Sequence, residues 1–405
     1  MNFSLQHIFK GDRVLWLILF LLSLASILIV YSATGRLAYR EAGGFTAHYL
    51  IRHSVFIGAG FLVMVALVNY VPVKFYSLIA PLALLATFGL LAIALVQYKL
   101  TGKATPRSLD LRFISFQPAE FAKLALVMFG AKVLAARQKS KEDLAKAFKW
   151  VMGATVLVCL IIAFGNISTA GVIFAGMVGL MFVARVPLKF IGATGLVGLA
   201  FVVLMYFTAD FLPASFGRVH TFKARIDTFM GGANGTAVAE DEGTSQADYA
   251  KLAIYEGGFI GKGPGGSDVS NYMEAAYNDF IYAIFIEEYG LAGGVIIVFL
   301  YLLFLFRGVT IVRKSSRTFP AFLATGIVLI YTIQAFVNMA VSTGVIPVTG
   351  QPLPWISMGG TSMLFTAAGF GIILSVSYHN KKEAEQGTVE EQVVVNIPDE
   401  DQELK

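Results

Sequence analysis

Long stretches without a single charge constrain this chain more than any other feature. Leu15–Val30, Phe56–Val68, Leu78–Val96, Phe190–Phe207 and Gly293–Phe306 are all uncharged and apolar. Backbone in such a run has no water to bond with. A helix satisfies that backbone internally, and about 20 helical residues cross the hydrocarbon core. Composition agrees: 14% of residues are charged, against about 25% in soluble domains. The chain is therefore predicted to be an all-α polytopic membrane protein. The first block follows Lys10, Asp12 and Arg13 and runs on into Tyr31-Ser32-Ala33-Thr34. It exceeds the apolar core of a signal peptide and reads as an uncleaved span.

Apolar blocks between polar punctuation give about ten spans, near 14–33, 47–70, 75–97, 118–136, 148–165, 167–184, 188–207, 279–306, 318–342 and 357–378. Gly165 and Asn166 alone separate the fifth from the sixth. Basic residues precede the fifth (Lys132 to Lys149) and follow the sixth (Arg185, Lys189). If both flanks are cytoplasmic the chain crosses an even number of times between them, which a hairpin at Asn166 satisfies. The same rule places Lys10 and Arg13, Arg307 to Arg317, and Lys381-Lys382 in the cytoplasm, so both termini (1–13 and 379–405) are expected inside. The membrane domain is then 14–378. Outside it present the 98–117 and 343–356 loops and one long extracytoplasmic segment, 208–278, between helices 7 and 8. Residues 233–248 read as a mobile loop, and the acidic tail 379–405 as disordered. The one cysteine, Cys159, excludes an intramolecular disulfide. A net charge of +5 carried mostly in short loops beside spans gives no reason to expect nucleic acid.

Ionisable residues at membrane depth are costly and point to function. Glu120 and Lys123 open the fourth span after Pro118, three apart and so on one helix face. They form either a structural ion pair or a site contact. Arg52, near the outer end of span two, either snorkels to headgroups or points into the same cavity. Asp279 sits where the outer segment enters span eight. Asn278 or Asp279 could cap that helix, and a carboxylate among aromatic rings there could equally be a general base. Glu287 and Glu288 lie about two turns further on, at a depth that calls for protein or water around them. Gln334 and Asn338 share a face of span nine, a spacing suited to interhelical hydrogen bonds. The Pro- and Gly-rich stretch Gly344 to Pro354 cannot be helix and is expected to fold back against protein in the outer leaflet. Gly257 to Gly266 is glycine-rich but lacks a Gly-Lys-Ser/Thr ending, so it is not a nucleotide loop. No His/Cys cluster suggests structural zinc.

Taken together, Tyr31-Ser32-Ala33-Thr34, Gln117-Pro118-Ala119-Glu120 with Lys123, Gly258-Phe259-Ile260-Gly261-Lys262-Gly263, Asp279-Phe280-Ile281-Tyr282, Glu287-Glu288-Tyr289-Gly290-Leu291 and Gly344 to Ser362 resemble the SEDS family of bacterial cell-wall glycosyltransferases (FtsW, RodA and SpoVE). The wording around Asp279 leans toward the FtsW-like members, which serve division. The resemblance implies polymerisation of lipid II into β-1,4 glycan strands on the outer face of the cytoplasmic membrane, with release of undecaprenyl pyrophosphate. Asp279 matches the family's catalytic aspartate. Lys123, Glu120, Arg52, Asn278, Gln351 and Ser357 are the implied substrate-binding positions, with a divalent cation (Mg or Mn) as an assisting ion. A class B penicillin-binding protein and other division or elongation proteins are the implied partners. The chain departs from the family pattern at Tyr277-Asn278, where His-Thr is usual, at Asn166, where an aspartate is usual, and in Lys103–Phe113, where only Arg107 and Arg112 stand for the arginine of the family's outer-loop pattern. The rival readings are a lipid flippase or transporter working through Glu120, Lys123, Glu287 and Glu288, and a non-catalytic divisome scaffold.

Overall fold

The computed structural model describes residues 8–35, 37, 46–101, 108–110, 115–213, 217–231, 242–273 and 276–395. Its helices are α1 (Arg13–Ala33), α2 (Thr46–Tyr70), α3 (Val73–Thr101), α4 (Pro118–Ala136), α5 (Lys141–Ala163), α6 (Ile167–Val183), α7 (Leu188–Thr208), α8 (Gly217–Gly231), α9 (Glu242–Gly257), α10 (Ile281–Arg313), α11 (Thr318–Ser342) and α12 (Thr361–Val395). A helix thus stands at each expected block. By length and composition α1, α2, α3, α5, α7, α10, α11 and α12 can each cross a bilayer, and α6 is a shorter apolar helix. Among the described residues, the strands are one small antiparallel pair, β1 (Leu109–Asp110) and β2 (Ser115–Phe116), with Leu109 opposite Phe116. Arg107 and Arg112 lie outside the described residues.

Polar caps set the helix ends. Asp12 accepts from Leu15 N at 2.9 Å, Ser140 from Asp143 N at 3.1 Å, and Asn166 from Thr169 N at 3.1 Å. Each satisfies a backbone donor that the first helical turn leaves over. Asn166 therefore both ends the α5–α6 hairpin and starts α6. At the centre stands α11, packed against α4, α6, α10 and α12. Small residues let these helices approach closely: a Cβ on Gly176 would lie 2.3 Å from Ile330 Cγ1. In contrast, α7 has no buried residue and stands at the edge of the bundle.

Asp12 is paired with Arg307, and Asn380 donates to Ile311 O at 2.9 Å. The start of α1, the end of α10 and the end of the apolar part of α12 therefore lie at one face. Helix α12 continues to Val395, so the stretch expected to be disordered from 379 is helical up to that point. Pairs one turn apart support it, His379–Glu383 at 3.2 Å and Lys381–Glu385 at 3.7 Å, and Arg317 reaches Glu383 at 2.8 Å. Similarly, α9 begins at Glu242, inside the segment read as a mobile loop. Residues 233–241 of that segment lie outside the described residues.

One break organises the opposite face. Gly290 in α10 has φ 70° and ψ 179°, a conformation that favours glycine. The helical bonds lost there are replaced by the glycine-rich loop. Lys262 N donates to Glu287 O and Gly263 N to Glu288 O, both at 2.9 Å, while Leu291 N donates to Gly258 O at 2.9 Å. Side chains would not fit between the two backbones, since a Cβ on Gly261 would stand 2.3 Å from Glu288 O. The glycines that resemble a phosphate loop in sequence thus splice a broken helix. Leu291–Arg313 alone is about 34 Å long, enough to cross the hydrocarbon core. Glu287 and Glu288 stand on the short helical stretch before the break, both buried in protein, as two carboxylates in this apolar helix require.

Candidate active site

Asp279 lies in the turn that precedes α10, one residue before Phe280, which takes the N-cap position. The turn is held by three successive carbonyls. Met358 N donates to Tyr277 O at 3.1 Å, Ser357 Oγ to Asn278 O at 2.6 Å, and Asn338 Nδ2 to Asp279 O at 2.8 Å. Ser357 also accepts from Leu353 N at 2.8 Å. The same Asn338 nitrogen donates to Gln351 O at 2.7 Å, and Gln351 Nε2 reaches Thr169 Oγ1 at 2.8 Å. The fold-back segment 344–358 is pinned beneath this turn. Trp355 is buried with a left-handed backbone (φ 69°), and its indole donates to Ser23 Oγ at 2.8 Å.

The Asp279 side chain opens on a cavity of about 300 Å³. The first turn of α6 (Asn166, Ile167, Ser168) forms one wall and residues 346–350 another. Helix α8 forms the third with Arg218, Thr221, Phe222, Arg225 and Ile226. Those five recur at the spacing of a single helical face. Arg225 Nη1 donates to Val348 O at 3.3 Å, which ties α8 to the 346–350 wall. On its other side α8 is fastened to the end of α7 by Lys223 with Asp210 and by Tyr206 Oη donating to Asp227 at 2.6 Å. The Asp210 carboxylate holds the Lys223 ammonium above the ordinary lysine range. Two guanidiniums, a helix N-terminus and one carboxylate thus share a small space. That set suits an anion with a reacting hydroxyl beside it.

The other sequence-derived candidates fall into different roles. Lys123 is buried, 2.7 Å from Glu120 and 2.9 Å from Gln334 Oε1, and Gln334 Nε2 donates to Pro352 O at 2.9 Å. Glu120 and Lys123 do not line the cavity. Arg52 is exposed on α2 and also lies outside it. Asn278, Gln351 and Ser357 hold the Asp279 turn and the cavity wall through the bonds described above. Arg218 and Arg225 escaped the sequence reading. Their signal was the one-face spacing of 218, 221, 222, 225 and 226 inside a segment treated as loop.

A second cluster lies near the α10 break. Lys262 Nζ is 3.0 Å from Glu287 Oε1 and 3.1 Å from Asp268 Oδ2, and also pairs with Glu256. Glu287, fully buried, accepts further from Ser267 Oγ at 2.5 Å and Asp268 N at 3.1 Å. The hydrogen bonds that Lys262 donates, to Glu256 foremost and then to Glu287 and Asp268, hold its ammonium well above its ordinary range. These three carboxylates could chelate a cation, but the ammonium already stands among them, and they do not line the Asp279 cavity. Within that cavity Asp279 is the one acidic side chain among the described lining residues. The donor set therefore does not fit a protein-built divalent site.

An apolar cleft of about 770 Å³ adjoins the cavity. It runs between α3, α5 and the loosely packed α7 past Leu160, Phe164, Phe201 and Leu204, and it shares Ile167, Arg218 and Thr221 with the cavity. An amphiphile could place its head among the arginines and its tail along this cleft toward lipid.

A model of the cell cycle protein family of FtsW, RodA and SpoVE matches residues 12–382. The probable peptidoglycan glycosyltransferase FtsW of Geobacter sp. (strain M18) is 31% identical over 371 residues, 90% of this chain and 96% of that protein. The peptidoglycan glycosyltransferase MrdB of Escherichia coli (strain K12) is 28% identical over 383 residues, 91% of this chain and 94% of that protein. Among solved structures, a chain from a peptidoglycan synthase complex that coordinates polymerization and crosslinking aligns with a TM-score of 0.72 at 23% identity, covering 91% of this chain and 98% of its own. The rod shape determining protein RodA of Thermus thermophilus aligns at 0.61 and 22% identity, covering 91% and 96%. Both structures share the polytopic helical fold.

Proposed function

Since the chain belongs to the FtsW/RodA/SpoVE family of cell cycle proteins, a family of multi-pass membrane glycosyltransferases of peptidoglycan, we propose that it polymerises lipid II with Asp279 as general base. The observation that carries the proposal is the meeting of the Asp279 carboxylate with Arg218, Arg225 and the N-terminus of α6 around one cavity that opens on a lipid-facing cleft.

The reaction follows from those groups. Asp279 takes the proton from the 4-hydroxyl of the acceptor's GlcNAc, and the freed oxygen attacks the anomeric carbon of the donor's MurNAc from the face opposite its diphosphate. The new C–O bond forms as the anomeric carbon–diphosphate bond breaks, and undecaprenyl pyrophosphate departs with the electron pair. The α-linked donor becomes a β-1,4 linkage. Charge grows on the leaving diphosphate, where two guanidiniums and free helix N–H groups can meet it. A divalent ion carried in on the diphosphate would find Asp279 as its one acidic ligand from the described cavity wall. The polyprenyl tails suit the apolar cleft beside α7.

The proposal extends to place and company. The Asp279 cavity faces the outside of the cytoplasmic membrane, and both termini lie in the cytoplasm. The partner is a class B penicillin-binding protein that cross-links the strands. The role is in division, supported by the wording around Asp279; depletion should give filaments, whereas round cells would indicate elongation. Of the four ionisable groups the flippase reading invokes, Glu120, Lys123 and Glu287 each have an internal ion-pair partner, and Glu288 is buried beside Glu287 outside the Asp279 cavity.

The test is reconstitution of the chain with its penicillin-binding protein and labelled lipid II. Glycan ladders on a gel, with one undecaprenyl pyrophosphate released per linkage, are expected. Transfer of lipid II across the bilayer without release would indicate a flippase, and neither event would indicate a scaffold.

A further inference from the structure

Asn338 is fully buried, and one nitrogen of its amide serves two carbonyls, Asp279 O at 2.8 Å and Gln351 O at 2.7 Å. The bond pattern fixes the amide's orientation, because a flip would set its oxygen against both carbonyl oxygens. Gln351 continues the line to Thr169 and so to the first turn of α6, the cavity wall opposite the arginines. One turn away on α11, Gln334 holds Pro352 O and is itself held by Lys123, which Glu120 neutralises. A continuous set of bonds thus runs from the Glu120–Lys123 pair through α11 to the backbone of Asp279.

We propose that Asn338 is the positioning residue for the base: by gathering the Asp279 and Gln351 carbonyls on one amide, it sets the Asp279 carboxylate at a fixed place against the α6 wall, and Lys123 works through this support and not on the diphosphate. The inference rests on the reading of Asp279 as general base. Its physical basis is that a reacting group misplaced by about 1 Å costs on the order of 100-fold in rate. Without the Asn338 donors, the two carbonyls keep no side-chain tether to α11, and the turn is left with the Ser357 and Met358 ties alone among those described above. A sequence scan for cations would assign Lys123 to the pyrophosphate; in the fold its side chain is 3% exposed and its ammonium bonds Glu120 and Gln334.

The test compares wild type with Asn338→Ala, Asn338→Asp, Asn338→Ser, Lys123→Met and Asp279→Asn in the reconstituted complex. Initial rates are measured across a lipid II series, and lipid II binding is measured with the Asn338 changes placed on Asp279→Asn. Kinetics are read on every variant whose thermal unfolding matches wild type; the aspartate and serine versions keep a polar group if the alanine does not fold. Asn338→Ala and Asn338→Asp should lower kcat on the order of 100-fold, with KM within about threefold and the lipid II Kd of the double variants within about threefold of Asp279→Asn. Lys123→Met should lower kcat about tenfold with KM again within about threefold. A tenfold rise in KM at unchanged kcat would make these residues substrate contacts and overturn the proposal. Wild-type kcat in folded Asn338 variants, beside an inactive Asp279→Asn, would also overturn it while leaving the base intact. An active Asp279→Asn would instead remove the base reading itself.

Discussion

Changing Gly350 to alanine tests the geometry around the base with a single methyl group. Gly350 has φ +67°, and a Cβ built there stands 3.3 Å from Asp279 Oδ2. This change carries two costs. An alanine in the left-handed region is strained by about 1–2 kcal/mol, and the carboxylate must move by about a few tenths of an ångström to make room. The backbone offers little relief, because Asp279 O and Gln351 O, on either side of the contact, share the Asn338 amide. The shift therefore falls on the Asp279 side chain. Since a 1 Å misplacement costs on the order of 100-fold, a shift this small should cost roughly 5- to 10-fold in kcat, with KM nearly unchanged. Gly344→Ala is the matched control. It carries the same left-handed strain (φ +72°), but the atoms nearest its Cβ belong to the flexible Lys251 side chain, Cε at 2.9 Å. Steady-state polymerisation kinetics on labelled lipid II, beside thermal unfolding, separate strain from displacement. Equal kcat in Gly350→Ala and Gly344→Ala would refute the claim that Gly350 sets the position of the base.

Arg225→Ala should raise KM for lipid II roughly tenfold, and Arg225→Lys should recover only part of that because an ammonium cannot make the guanidinium's paired bonds; a lipid II titration reads both. Lys262→Met should destabilise the protein by roughly 2–3 kcal/mol, below the cost of breaking a fully buried pair because the lysine is 26% exposed. Its pH dependence has a definite sign. The folded state holds the Lys262 ammonium above its unfolded value of about 10.4, so its contribution is fully present below that pH and lost as pH rises beyond it. Unfolding midpoints of wild type and Lys262→Met should stay apart from pH 6 to 10 and converge above. Gly290→Ala places a Cβ 2.2 Å from Phe259 O, so it should abolish a stable fold, read as loss of a monodisperse peak in detergent.

Much of the frame is legible from local chemistry. Uncharged runs mark the helices, and the basic residues before and after the two apolar blocks around Asn166 mark a hairpin there, because both flanks then lie on one side. The Glu120–Lys123 spacing of three gives their pairing directly, and Asp279 stands out as a carboxylate at a membrane interface. The features that stayed hidden depend on partners far away in the chain. Nothing in the neighbourhood of Gln351 announces Thr169, 182 residues away, or the Asn338 amide that holds its carbonyl. The spacing pairs Lys123 with Glu120 but does not reveal its second partner, Gln334, which is 211 residues distant. The glycine run 257–266 made sense only once the break at Gly290 left carbonyls and N–H groups for it to take up. Arg218 and Arg225 were readable in principle, from their shared helical face, but a glycine- and polar-rich surrounding suggested loop.

The central claim is that Asp279 removes a proton in the glycosyl-transfer step. The most direct measurement is single-turnover polymerisation by wild type and Asp279→Asn at saturating lipid II, with bound lipid II quantified in each. Asparagine keeps the shape and the backbone ties of the turn but cannot accept the proton. Equal binding with ladders from wild type alone is the expected result. Equal ladders from both would contradict the account.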